Sequence, residues 1–255
     1  MIALLSPAKS LDFASDTPQL IGTDPIFEKE ASTINNVLRK KSVEDLMQLM
    51  KLSENLAQLN HDRYQQFDPS DDSLEKRSAI FAFNGDVYKG FDAYSLDEAT
   101  LNYAQDHIRI LSGFYGVLKP LDLIQPYRLE MGTRIGVGEA KNLYALWKEK
   151  LTEALNKEIE ERQVEFVVNL ASKEYAKAVD LKSLKAKVLE IEFKELRNGQ
   201  MKVISFNAKK ARGLMGRMIC EKRISSLSEL LKCNIGDYVY EKNSSTEERL
   251  LFLKK

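Results

Sequence analysis

Cationic and small residues are most densely interleaved in Asn207 to Arg223, where Lys209, Lys210, Arg212, Arg217 and Arg223 surround Gly213, Gly216 and Cys220. At the helical step, Ala208, Ala211, Leu214, Met215, Met218 and Ile219 share one broad side and the small residues lie opposite. Each glycine costs an exposed helix about 1 kcal/mol relative to alanine, so a stripe of them implies a packing or functional reason. Two readings compete. A bare backbone rimmed by guanidinium and ammonium groups would let a phosphate chain approach closely, whereas the same stripe would also let a second helix pack tightly.

Other constellations lie upstream. In Ile110 to Asp122 a helix ends at Gly113, a short hairpin through Phe114 and Tyr115 closes at Gly116, and apolar character resumes before Lys119 and Pro120. That outline suits a helix-hairpin-helix offering N–H groups to a DNA phosphate, and an ordinary glycine C-cap with a loop accounts for it equally. Ser6-Pro7-Ala8-Lys9-Ser10 follows a strand; Lys9 could meet a phosphate, serve as a Schiff-base nucleophile once desolvated, or be a surface lysine in a turn. Asn84-Gly85-Asp86-Val87-Tyr88 offers a carboxylate and a phenol at a turn. Tyr127-Arg128-Leu129-Glu130 sets Arg128 and Glu130 on one side of an extended chain, where an internal ion pair is the plain explanation. For an enzyme, Lys9 would be the nucleophile and Asp86 or Glu130 its acid/base partner.

The elements that must position these groups alternate along the chain. Ile2 to Leu5 reads as a buried strand and Asp16 to Pro25 as a loop. Helical spacing fills Ile26 to Phe67, interrupted at Lys41-Ser42, with Ser42 an N-cap. Ala79 to Phe83 is expected as a strand, and Ser95 with Glu98 as the capping box of a helix running to Gly113. A helix follows over Ala140 to Ile159, then a strand over Phe166 to Leu170 and a cap at Ser172. Val188 to Phe193 and Met201 to Phe206 form a hairpin around Asn198-Gly199, ahead of helix 207–224. Tyr238 to Tyr240 pair with Leu250 to Leu253 in a last hairpin. The expectation is an α/β mixed, α+β-like single domain over residues 1–255: a mixed twisted sheet covered by helices, with a helix-hairpin-helix-like element and a basic cleft. No G-x-G-x-x-G follows a strand and no Walker lysine loop exists, which argues against a doubly wound nucleotide fold.

Composition bounds the function. The 255 residues are 44% hydrophobic and 30% charged, which is ordinary for a globular chain. With 38 basic and 38 acidic side chains the net charge is zero, so attraction to a polyanion must come from a local patch. No apolar run reaches the roughly 18 residues of a membrane span, and no signal peptide is evident, so a cytoplasmic protein without a membrane partner is expected. Cys220 and Cys233 read as free thiols. With His61 and His107 they do not make a zinc set of ordinary spacing, and neither a metal cluster nor a cofactor is expected.

Several segments, taken in order, carry a resemblance: Ser6-Pro7-Ala8-Lys9-Ser10-Leu11-Asp12-Phe13, Gly85-Asp86-Val87-Tyr88, Leu111-Ser112-Gly113 through Pro120-Leu121-Asp122-Leu123, Pro126-Tyr127-Arg128-Leu129-Glu130-Met131-Gly132, Asn169-Leu170-Ala171-Ser172 and Lys209-Lys210-Ala211-Arg212-Gly213-Leu214-Met215. Together they resemble the YaaA family of bacterial peroxide-stress proteins across nearly the whole chain. Ser10 stands where threonine is commoner, Phe114 where leucine is, Lys119 where arginine is, and Gly216 where a small polar residue is. The resemblance implies a mixed α/β domain with a positively charged cleft, binding of double-stranded or branched DNA, and protection against hydrogen peroxide by lowering free iron. On that reading Lys9, Gly113, Tyr115, Gly116, Lys119, Arg128, Lys209, Lys210, Arg212, Gly213, Arg217 and Arg223 hold DNA. The alternative is an enzyme acting on a nucleobase or abasic site through Lys9.

Overall fold

The computed structural model describes residues 1–255. Its strands are β1 (Ile2–Leu5), β2 (Ser10–Leu11), β3 (Arg77–Ser78), β4 (Phe83–Asn84), β5 (Ile108–Ser112), β6 (Gly116–Leu118), β7 (Leu123–Ile124), β8 (Phe166–Asn169), β9 (Lys187–Arg197), β10 (Gln200–Lys202), β11 (Val239–Tyr240) and β12 (Arg249–Lys254). Its helices are α1 (Glu28–Leu38), α2 (Val43–Met50), α3 (Glu54–Gln66), α4 (Ala79–Ala82), α5 (Asp86–Phe91), α6 (Glu98–His107), α7 (Leu143–Glu161), α8 (Lys173–Ala176), α9 (Ser205–Glu221) and α10 (Leu227–Leu231).

Eight strands form one mixed sheet in the order β11-β12-β9-β8-β1-β5-β6, with β10 added on β9. The five strands β12, β9, β8, β1 and β5 are mutually parallel, and β6, β10 and β11 run against them. All four side chains of β1 are fully buried, as a central parallel strand covered on both faces requires. From β1 the chain moves to β5 on one side; it later returns to β8 on the other side and continues outward to β9 and β12. Strand succession therefore reverses between β1 and β8. In open parallel sheets such a reversal leaves a crevice beyond the carboxyl ends of the strands, where ligands bind.

Local chemistry explains the elements that match expectation. Ser42 Oγ accepts from Asp45 N–H, and the Asp45 carboxylate accepts in return from Ser42 N–H, which starts α2. Asn198 and Gly199 both have positive φ, 51° and 74°, and close the β9–β10 hairpin. Helix α7 is capped by Asn142, whose side chain accepts from Ala145 N–H at 2.9 Å.

Three expectations are corrected. Ala79 to Ala82 is a helical turn rather than a strand, and extended structure begins only at Phe83. A short, wholly buried apolar run fits either state by pattern. The helix expected from Ser95 to Gly113 is instead capped by Asp97, whose carboxylate accepts from Thr100 N–H at 2.8 Å, and it ends at His107. Ile108 to Ser112 is a strand beside β1, and burial of every residue removed the alternation that would have marked it. The segment around Gly113 is not the expected helix-hairpin-helix, because Gly113 lies between two strands, β5 and β6.

Candidate functional site

A crevice of about 320 Å³ opens where the strand order reverses. The segment after β1 supplies Ser6 to Ser10, the start of α5 supplies Asp86 and Tyr88, the turn after β8 supplies Ser172, Glu174 and Tyr175, and α9 supplies Lys209 and Arg212. Ser6 ties three of these walls together. Its carbonyl accepts from Tyr88 Oη at 3.0 Å and its Oγ accepts from Ser172 N–H at 2.8 Å. Gly85 permits the close approach of two walls, since a Cβ there would stand 2.9 Å from Ala8 Cβ. Beneath the turn, Asn169 Oδ1 accepts from Ala171 N–H at 3.0 Å while Nδ2 donates to both Glu190 oxygens. Burial pushes the Tyr88 and Tyr175 phenols well above their ordinary range, so both stay neutral hydrogen-bonding groups.

The charges are mixed. Lys9, Lys209 and Arg212 face the same space as Asp86 and Glu174. Lys9 Nζ lies 2.7 Å from Glu130 Oε2, and Arg128 Nη2 lies 3.7 Å from the other Glu130 oxygen, so the expected ion pair at Arg128 and Glu130 includes Lys9 as well. Arg212 Nε is buried and has no hydrogen-bond partner, as is Arg128 Nε. Burial lowers the Arg212 pKa, and the Glu190 carboxylate opposes that shift. A buried unmatched N–H costs about 1–3 kcal/mol, which an incoming anion would recover.

Lys9, Asp86, Lys209 and Arg212 thus converge, with Arg128 and Glu130 at their edge; Lys210 is exposed alongside on α9. Other expected residues are occupied elsewhere. A Cβ on Gly213 would stand 1.7 Å from Val87 O, and one on Gly90 2.0 Å from Lys210 O. The stripe is therefore the seam between α9 and α5, which removes it as an open phosphate approach. Arg217 donates to Phe91 O, Asp92 O and Ser95 Oγ at 3.1, 2.8 and 2.7 Å, closing the carboxyl end of α5. Arg223 donates to Cys220 O and Ala99 O and lies 4.4 Å over the Tyr103 ring.

The Gly113 to Gly116 turn is buried, and two of its amides are already used: Phe114 and Tyr115 N–H both donate to Ser112 Oγ, at 3.1 and 2.9 Å. Gly113 O accepts from Trp147 Nε1, and Gly116, at φ 70°, sits under the Trp147 ring. Tyr115 Oη accepts from Gln125 N–H, and Lys119 N–H donates to Asp122. The Phe114 and Tyr115 amides are thus committed to the protein itself. Sequence reasoning took Ser172 only as a cap and passed over Glu174 and Tyr175; the turn directly after a buried parallel strand was the available signal. Neither thiol is poised for chemistry, because burial pushes Cys220 up to about 12 and also raises Cys233. No group of three or more His, Cys, Asp or Glu side chains is placed to hold a metal ion. No helix is long and apolar enough to cross a membrane.

Comparison with known proteins agrees along the chain. Residues 1–244 match the family described as peroxide stress protein YaaA. A UPF0246 protein of Alteromonas mediterranea is 47% identical over 254 residues, covering 100% of this chain and 98% of that one. A UPF0246 protein of Paracidovorax citrulli is 47% identical over 256 residues, covering 100% and 99%. Another, from Francisella philomiragia, is 45% identical over 255 residues and covers both chains fully.

Proposed function

The chain belongs to the family of the peroxide stress protein YaaA, and from that premise we propose that it is a cytoplasmic DNA-binding protein which holds double-stranded or branched DNA at the crevice beyond β1 and β8, limiting iron-dependent oxidative damage. The observation that carries this reading is Arg212: a guanidinium in the wall of the crevice, with a buried Nε lacking any partner, flanked by Lys9 and Lys209. A phosphate is the ligand that satisfies such a donor while neutralising its charge. Lys9, Lys209, Lys210, Arg212 and Arg128 form the contact set. Arg217 and Arg223 support the fold behind it, given the backbone carbonyls they already serve.

Titrating a labelled DNA duplex at several salt concentrations tests this. Affinity is expected to fall steeply with salt and to vary little with sequence, and Arg212→Gln to reduce the log–log salt slope by about one unit. Arg217→Gln should leave the slope unchanged. Salt-independent binding, or an Arg212→Gln slope equal to that of the native protein, would overturn the reading.

A second reading has its own observation. The crevice holds an amine 2.7 Å from a carboxylate, Lys9 with Glu130, and faces Asp86 across about 320 Å³, a volume that suits one extruded nucleobase. This arrangement supports an enzyme acting on a base or abasic site through Lys9.

A further inference from the structure

Beside the crevice lies a groove that the crevice reading does not use. It encloses about 620 Å³ between the carboxyl end of α2 and the segment 132–134, and Lys41, Lys51 and Arg134 line it. Lys51 and Arg134 are exposed and Lys41 half-buried, and none of the three side chains makes a hydrogen bond or ion pair. The groove's single carboxylate, Asp45, is turned to the Ser42 backbone N–H at 3.1 Å as part of the α2 capping box. Three unmatched cations therefore face the solvent of one concavity.

The groove and the crevice share a wall. Gly132, which lines the groove, donates its N–H to Glu174 Oε1 at 2.9 Å, and Glu174 lines the crevice. Two residues back, Glu130 holds Lys9. The saddle between the two concavities is thus Gly132, which has no side chain of its own and carries the Glu174 carboxylate against it, 3.2 Å from where a Cβ would stand, so a polymer crossing there passes beside that carboxylate. A free phosphate would occupy one concavity or the other. A phosphodiester chain, with a charge at every link, would engage the cations on both sides of the saddle.

We propose that the groove lined by Lys41, Lys51 and Arg134 is a second phosphate-binding site continuous with the crevice, so that a DNA strand held at Arg212 leaves over Gly132 along this groove. The inference rests on the crevice reading and extends the footprint to residues on a different part of the chain.

The test is the triple variant Lys41→Gln, Lys51→Gln, Arg134→Gln, titrated with the same duplex over the same salt series as the native protein and Arg212→Gln. At about 0.9 per phosphate contact, the slope should fall by up to about 2.7, with affinity at low salt reduced at least roughly tenfold. Combining the triple variant with Arg212→Gln should lower the slope further, because the two sites contact different phosphates. The thermal midpoint of the triple variant should match the native one, since these side chains hold nothing in the fold. A triple variant with native slope, while Arg212→Gln loses its unit, overturns the groove and leaves the crevice reading standing. A triple variant that loses slope while Arg212→Gln does not would place phosphate contacts in the groove alone, which overturns both the crevice reading and the continuous path proposed here. Native protein that binds no duplex at low salt overturns both.

Discussion

Two side chains, Asp122 outside the crevice and Lys9 in its wall, lead to opposite kinds of test. Asp122 is buried and its pKa is pushed up to about 6, chiefly by that burial, although Thr23 Oγ1 and Lys119 N–H both donate to it. Between about pH 4 and 6 the folded protein holds this proton more tightly than the unfolded chain does, so this group's contribution to stability falls as pH rises through that window and is level above it. Asp122→Asn removes the titration. The stability of the variant relative to the native protein should therefore improve by on the order of 2–3 kcal/mol between pH 4 and pH 7, measured by urea unfolding. A difference that stays constant across that range would show that the carboxyl titrates normally. Lys9 separates the binder from the enzyme. A phosphate contact needs only a cation, so Lys9→Arg should keep most of the DNA affinity, whereas a Schiff base needs a free amine. If the protein is a binder, borohydride should trap no adduct on DNA containing abasic sites. A covalent adduct on the native protein that is absent from Lys9→Arg would establish the enzyme.

At the scale of elements, the seam between α5 and α9 sets the width of the crevice, because Asp86 and Tyr88 stand on one helix and Lys209 and Arg212 on the other. A methyl group on Gly213 would sit 1.7 Å from Val87 O, so Gly213→Ala must force the helices apart. We expect a loss of roughly 3 kcal/mol or more with weakened DNA binding, while Gly138→Ala, at φ 58° with open space around it, should cost about 1 kcal/mol and leave binding intact. Equal effects of the two would mean that the seam relaxes freely. The same seam shows what was legible in the sequence. The helix carrying the cations, the N-cap at Ser42, the Asn198-Gly199 hairpin and strand β1 were readable because local chemistry specifies them. Ile108 to Ser112 was not, because a strand buried on both faces loses its alternation, and Ile108 and Leu111 then mimic a helical stripe. The glycine stripe was recognised, but its function depended on whether α5 lay opposite, which is a tertiary fact. For the same reason Lys9, Asp86 and Arg212 could be named individually, while their meeting required the strand order. The groove cations had no signal at all, since Lys41, Lys51 and Arg134 converge only after α2 and segment 132–134 come together.

For the whole molecule, the strand order makes a single domain the expectation and gives it a sharp test. The last strand, β12, lies between β9 and β11 and pairs with β9 in parallel over six registers, from Arg249 with Glu190 to Lys254 with Glu195. Leu250, Leu251, Phe252 and Leu253 are each no more than 3% exposed. At about 1.5–3 kcal/mol for each large apolar side chain buried, these four contribute on the order of 6–12 kcal/mol, comparable to the entire stability of an ordinary domain. Removing the strand would also leave the β9 edge unpaired beside β8, the strand whose carboxyl end carries the Ser172 wall of the crevice. A chain ending at residue 245 should therefore be unfolded or aggregated, and the full-length protein should unfold in one transition by circular dichroism and by Trp147 fluorescence alike. A truncated chain that keeps native circular dichroism and DNA affinity would mean that the carboxyl-terminal strands form a separable unit, with the crevice supported by β1, β5 and β8 alone.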